Sequence, residues 1–140
     1  MKANELMVGD WVIFHDSGYA SDGTTWEENR VCQIDSIDED VRVKWYDESG
    51  YKEDWPHVST ELLSPIPLTS GILKKNGFEY FHKNYSSLSY NHPFKLKMTN
   101  WPDENGLGGL WTICNIIEIR FVHQLQHALR LCGIEKEIVL

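Results

Sequence analysis

No apolar run in this chain approaches the ~20 residues that a membrane-spanning helix needs. Cysteine is scarce. Cys32, Cys114 and Cys132 form no CxxC pair and are odd in number, which argues against a disulfide framework or a zinc knuckle and for a reducing compartment. The opening Met1-Lys2-Ala3-Asn4-Glu5-Leu6 lacks the apolar stretch of a signal peptide, so a cytoplasmic location is expected. There is no internal repeat and no low-complexity segment. Gly106-Leu107-Gly108-Gly109 lacks the Lys-Ser/Thr of a phosphate loop and reads as a hairpin loop. Positive charge is also short: 13 Lys and Arg stand against 21 Asp and Glu, a net of −8 that full protonation of the six His would bring only to −2. What is present is apolar and aromatic content, 41% and 12%, enough for a packed core and too much for wholesale disorder.

The charge is unevenly distributed. Residues 1–66 hold 15 acidic and 5 basic residues, a net of −10, and residues 67–140 hold 6 and 8, a net of +2. The change falls at Ser64-Pro65-Ile66-Pro67-Leu68, where two prolines favour an extended connector. Two modules are therefore expected, 1–66 and 67–140.

The first module reads as strands. Residues 10–14, 31–37 and 41–46 are short and apolar or alternating, with Val41, Val43 and Trp45 on one face. Asp38-Glu39-Asp40 and Asp47-Glu48-Ser49-Gly50 read as turns. Further extended pieces are expected at 51–55 and 58–63, and residues 16–25 as the longest loop. Five short strands in ~60 residues point to a small SH3-like barrel. The second module reads as α+β. Thr69 caps a short helix over 70–76 stopped by Gly77, strands follow over 78–85, 93–98, 110–114 and 116–120, and a helix runs over 121–132 to Gly133. With Val122 set to zero at about 100° per residue, Phe121, Leu125, Ala128, Leu129 and Cys132 lie at roughly 240–340°, an amphipathic stripe against a sheet. The tail 137–140 is a candidate edge strand.

Three sets of runs carry a resemblance: Leu6-Met7-Val8-Gly9-Asp10-Trp11-Val12, then Ser64-Pro65-Ile66-Pro67-Leu68-Thr69 with Ile72-Leu73 and Asn76-Gly77-Phe78, then Phe121-Val122-His123-Gln124-Leu125-Gln126. Together they resemble a family of small uncharacterised proteins of Bacteroides-type bacteria and their phages or other mobile elements. The resemblance implies an N-terminal small barrel followed by an α+β unit, and it brings no established activity. His127 stands where that family commonly has Asn, and residues 128–134 replace a more aromatic continuation.

Candidate chemistry is sparse. His123 and His127, spaced i, i+4, share a helix face within reach of one metal ion. On the wheel they fall at roughly 100° and 140°, opposite the stripe, so both are expected to be accessible. A zincin-type hydrolase needs Glu after the first His, and Gln124 cannot act as a base. Cys132 is expected on the core face, and His82 and His92 are the other conceivable third ligands. The clusters Asp38-Glu39-Asp40, Asp47-Glu48 and Glu53-Asp54 lack the spaced oxygens of a calcium loop and read as a solvated acidic face that repels phosphate and favours basic partners. Trp11 and Trp45 fall in core phase. Trp26, Tyr46, Tyr51 and Trp55 are the candidates for an aromatic groove that takes an extended peptide or a cation. Each cysteine reads as a buried small hydrophobe, and no nucleophilic triad is evident. Lys74, Lys75, Lys83, Lys95 and Lys97, with Tyr80, Phe81, Tyr85 and Tyr90, give a conceivable single-strand platform, which the net charge opposes. The expected function is a non-enzymatic interaction module acting on a protein partner, with candidate surface Trp26, Tyr46, Tyr51, Trp55, His123 and His127. No cofactor, metal or membrane contact is expected. The alternatives are a metal-dependent enzyme using His123 and His127, or a nucleic-acid-associated phage protein.

Overall fold

The computed structural model describes residues 1–46, 52–84, 87–91, 97–101, 110–114 and 116–140, and the side chains at 3, 46, 52–56, 80–84 and 87–91 fall outside that description. The expected turn at 47–50, the strand start at Tyr51, the hairpin loop expected at 106–109 and most of the strand expected at 93–98 lie outside the described residues. Two compact units divide the chain, Met1–Ile66 and Pro67–Leu140. The architecture is α+β and mainly antiparallel sheet. Among the described residues, no helix is long and apolar enough to cross a membrane.

In the first unit, β1 (Trp11–Tyr19), β2 (Thr25–Ile37), β3 (Val41–Tyr46), β4 (Lys52–Val58) and β5 (Leu63–Pro65) form one curled antiparallel sheet in the order β4-β3-β2-β1-β5. Strand alternation decides its inner face. Val12 and Phe14 from β1 meet Cys32 and Ile34 from β2, Val41, Val43 and Trp45 from β3, Val58 and Leu63 in one buried cluster. Val12, Cys32, Ile34 and Val43 are fully buried. Each such aliphatic side chain contributes about 1.5–3 kcal/mol over its exposed state. The extended piece expected at 58–63 is instead the end of β4, a single 3-10 turn at Thr60–Leu62 and the start of β5. Ser59 explains the turn, because its side chain caps it by accepting from the Glu61 N–H at 3.4 Å. The chain can then reverse into β5, which pairs with β1 through Val12↔Pro65, Ile13↔Ser64 and Phe14↔Leu63.

The largest departure from expectation lies at 16–25. That segment is not a long loop. β1 and β2 stay in register from Trp11↔Gln33 out to Tyr19↔Thr25, and only residues 20–24 turn. Asp22 holds the turn by accepting from the Thr24 N–H at 2.9 Å and the Thr24 hydroxyl at 2.6 Å. Those two bonds lower the Asp22 pKa. Gly23 takes the positive φ, 83°, that the turn requires. Among the described residues, β5 accompanies β1 only to Phe14 and β3 accompanies β2 only from Gln33 onward. The remainder is therefore a two-stranded ribbon whose long edges pair with no other described strand.

In the second unit, α1 (Ser70–Lys75) is followed by β6 (Glu79–Asn84), β7 (Ser87–Asn91), β8 (Lys97–Trp101), β9 (Leu110–Ile113), β10 (Ile117–Ile119) and α2 (Val122–Leu131). The strands form an antiparallel meander in the order β10-β9-β8-β7-β6. Thr69 caps α1 as expected, its hydroxyl accepting from the Ile72 N–H at 3.2 Å. The tail at 137–140 is not a strand. Asn76 takes its backbone groups instead, donating Nδ2 to the Val139 carbonyl at 2.7 Å and accepting from the Val139 N–H at 2.9 Å, while Ile138 is fully buried.

Candidate functional site at the open edge of strand β1

Beyond Phe14 the β5 side of β1 faces a recess of about 220 Å³ lined by His15, Asp16, Ser17, Glu27, Asn29 and Leu62. His15 and Ser17 pair across the ribbon with Asn29 and Glu27, so these four share the outer face. Asp16 belongs to the inner phase of the strand, and Leu62 comes from the 3-10 turn beside it. A recess that reaches both faces of β1 must wrap its edge, and the end of β5 exposes that edge.

Two features give the recess its chemistry. Asp16 is only 9% exposed, yet its Oδ2 atom has no hydrogen-bond partner among the described residues. Burial of such an oxygen without a bond costs about 1–3 kcal/mol. His15, by contrast, is pinned at both ring nitrogens, with Nδ1 2.6 Å from Asn29 Oδ1 and Nε2 2.6 Å from Ser64 Oγ. In the neutral tautomer that satisfies both, Nδ1–H donates to the amide oxygen and the serine hydroxyl donates to Nε2.

Ser64, His15 and Asn29 thus stand in the order of a nucleophile, a base and the group that orients the base. Sequence reading found no such triad, because 49 residues separate His15 from Ser64 and only the β1–β5 register brings them together. An acyl-transfer centre also needs an oxyanion donor, commonly the N–H that follows the nucleophile. Here that residue is Pro65, which has none. Ser64 lies inside a paired strand, so the arrangement clips β1, β2 and β5 together.

A second recess, about 270 Å³, opens beside the turn at 38–40 against Val41 and Val58. Two of its three carboxylates are already engaged. Asp38 Oδ1 accepts from the Asp40 N–H at 3.2 Å, and Asp40 Oδ2 lies 2.6 Å from His57 Nδ1.

The residues singled out in sequence are dispersed. Trp26 is 40% exposed and faces Gly18, where an added Cβ would come within 2.8 Å of the indole. Trp45 is buried, as its phase implied, with the Arg30 guanidinium 4.9 Å above its ring, whereas Trp11, expected in core phase, lies on the phase opposite buried Val12 and Phe14 and is only half-buried. Tyr46 and Trp55 occupy backbone positions paired with Lys52 and Val43, their side chains lie outside the description, and Tyr51 lies outside the described residues. The acidic residues at 47–48 and 53–54, and the side chains of Tyr80, Phe81, Lys83, Tyr85, Tyr90 and Lys95, lie outside it as well.

His123 corrects the helical-wheel reading. It is 4% exposed, stacked on Phe121 with ring centroids 5.8 Å apart and edge-on to half-buried His127 at 5.7 Å. The first two turns of α2 bury Val122, His123, Leu125 and Gln126, a wider face than the apolar stripe alone marks. Among the described residues no three His, Cys, Asp or Glu converge as a metal site. The His82 side chain and His92 lie outside them.

The cysteines differ from one another. Cys32 is fully buried and burial pushes its thiol up to about 12. Cys114 and Cys132 are exposed, against expectation. Cys114 sits in the turn after β9 at φ 52°, and Cys132 follows the last turn of α2, past the surface that the helix buries.

The recess residues were legible only in part. The outer part of the ribbon carries no apolar alternation, so 16–25 reads as loop. The available signal was Asp22-Gly23, a turn dipeptide flanked by Tyr19 and by Thr25-Trp26. Compared with protein-family models, with curated proteins and with solved structures, the chain matches none.

Proposed function

We propose that this protein is a non-enzymatic interaction module, that its first unit is an SH3-like small barrel, and that a basic, extended segment of a protein partner docks along the open edge of β1. Membership of the Bacteroides-type family, and a cytoplasmic setting, belong to the same proposal. The observation that carries the docking is the ribbon. From residue 15 to residue 19, β1 has no paired neighbour on its β5 side among the described residues, which makes that edge a template for an added strand. The four-strand meander, the 3-10 turn before β5 and the return of β5 to the far edge of β1 support the barrel reading. Charge sets the partner's sign: a unit of net −10 attracts Lys- and Arg-rich chain and repels acidic chain and phosphate. Tyr19, 83% exposed, and Trp26 add ring surface for the partner's side chains.

An array of extended dodecapeptides graded from acidic to basic tests the proposal. Binding by the full chain rises with peptide positive charge, falls with added salt and is lost in a Tyr19→Ser, Trp26→Ser variant. Turnover of any substrate that dies with a single side-chain change, or fluorophosphonate labelling of Ser64, contradicts the non-enzymatic reading.

A further inference from the structure

We infer that the recess at the β1 edge is a cation pocket that receives the charged end of one lysine or arginine side chain from the docked partner, with Asp16 as its principal acceptor. The inference rests on the interaction reading and specifies what that edge selects. Three observations converge on it. Asp16 is nine-tenths buried, lines the recess and keeps Oδ2 without a partner among the described residues, so the fold leaves one acceptor there unspent. Glu27 lines the same recess from the outer face, and neither residue is in an ion pair with a described cation, whereas Glu28 is paired with Arg30, Asp35 with Lys44 and Asp40 with His57. The third is shape. About 220 Å³ is the liquid volume of roughly seven waters, which suits one long side chain. Leu62, 43% exposed, offers an apolar wall for its methylene stem.

The donor set selects an N–H cation over a metal ion. Both ring nitrogens of His15 are committed, to Asn29 and to Ser64, and no group of three ligating side chains converges among the described residues. An ammonium or guanidinium needs neither condition, because it donates hydrogen bonds to carboxylates already in place. The position also fits the docking geometry. A strand added along residues 15–19 lies end to end with β5, and its side chains alternate between the two faces that the recess reaches.

The test uses the folded full chain and small probes, n-butylammonium and methylguanidinium, with 1-butanol as the uncharged control, followed by amide and side-chain chemical shifts. Both cations give saturable shifts centred on residues 15–17, 27 and 62, and butanol gives none. Asp16→Asn weakens binding at least ~10-fold, as loss of a charged hydrogen bond requires, and Glu27→Gln on the exposed wall weakens it less. The amide spectrum of each variant shows that it is folded. Absence of saturable shifts at these residues, or equal binding by Asp16→Asn, overturns the pocket. The two claims separate cleanly. Basic peptides that dock with Asp16→Asn undiminished remove the pocket and leave the docking edge, and cation binding without any peptide docking does the reverse.

Discussion

Asp16 is the residue on which stability and function pull apart. A buried carboxylate oxygen without a bond is a cost to folding, and such costs persist where a site needs the group. Asp16→Asn keeps the shape and removes the charge. Its expected effect on the free protein is neutral to stabilising, by up to about 1 kcal/mol, read as an unchanged or higher unfolding midpoint at first-unit amides. A loss of more than that would mean that the carboxylate is paired in the native state. The thiols give a second residue-scale prediction. Thiolate is the reactive form, so Cys32, fully buried and with its pKa pushed up to about 12, resists modification. Native protein therefore gives two thiols to Ellman's reagent, Cys114 and Cys132, and the third appears only on unfolding. Three thiols in the native protein would contradict the burial of Cys32. At this scale the sequence was legible where phase alone decides, as at Val41, Val43 and Trp45. It misled where the environment decides: Cys132 lies past the buried face of its helix, and His123 is enclosed by Phe121 and His127 although it falls off the stripe.

Among the elements, the β1–β2 ribbon shows why pattern reading has a limit. The inner ends of its strands announce themselves through Val12, Phe14, Cys32 and Ile34, because there the sheet has a core to cover. Residues 15–19 and 25–30 carry no buried hydrophobic side chain, and their polarity looks like loop although they are paired throughout. Of the thirteen residues of β2, 25–30 could be recognised only from the turn chemistry of Asp22-Gly23. The same polarity guards the edge, since charge on an open strand discourages self-pairing while leaving it open to a partner of opposite sign. Glu28 and Arg30 lie on the inner face of the ribbon 2.5 Å apart, and the guanidinium lowers the Glu28 pKa. A depressed folded-state pKa means that any contribution of this pair is present above the unfolded glutamate value and is lost as pH falls through the folded one. Side-chain carbon shifts of Glu28 therefore titrate below the ordinary glutamate range, and Arg30→Ala returns the midpoint toward it. An unmoved midpoint would contradict the pair.

At the scale of the whole molecule, two compact units carry opposite formal charge, and the acidic one carries both the open strand edge and the buried acceptor. The charge asymmetry and the α+β class were readable from composition and period. The site was not, because its residues come from β1, β2 and the turn before β5, and only strand register assembles them. The proposed addition of a basic partner segment to β1 beyond the end of β5 is best tested by amide hydrogen exchange of the full chain, with and without a saturating basic dodecapeptide, because a new strand must take up edge N–H groups. Slowed exchange is expected at alternate residues within 15–19, weakened by added salt. No change there, or protection confined to the second unit, would contradict it.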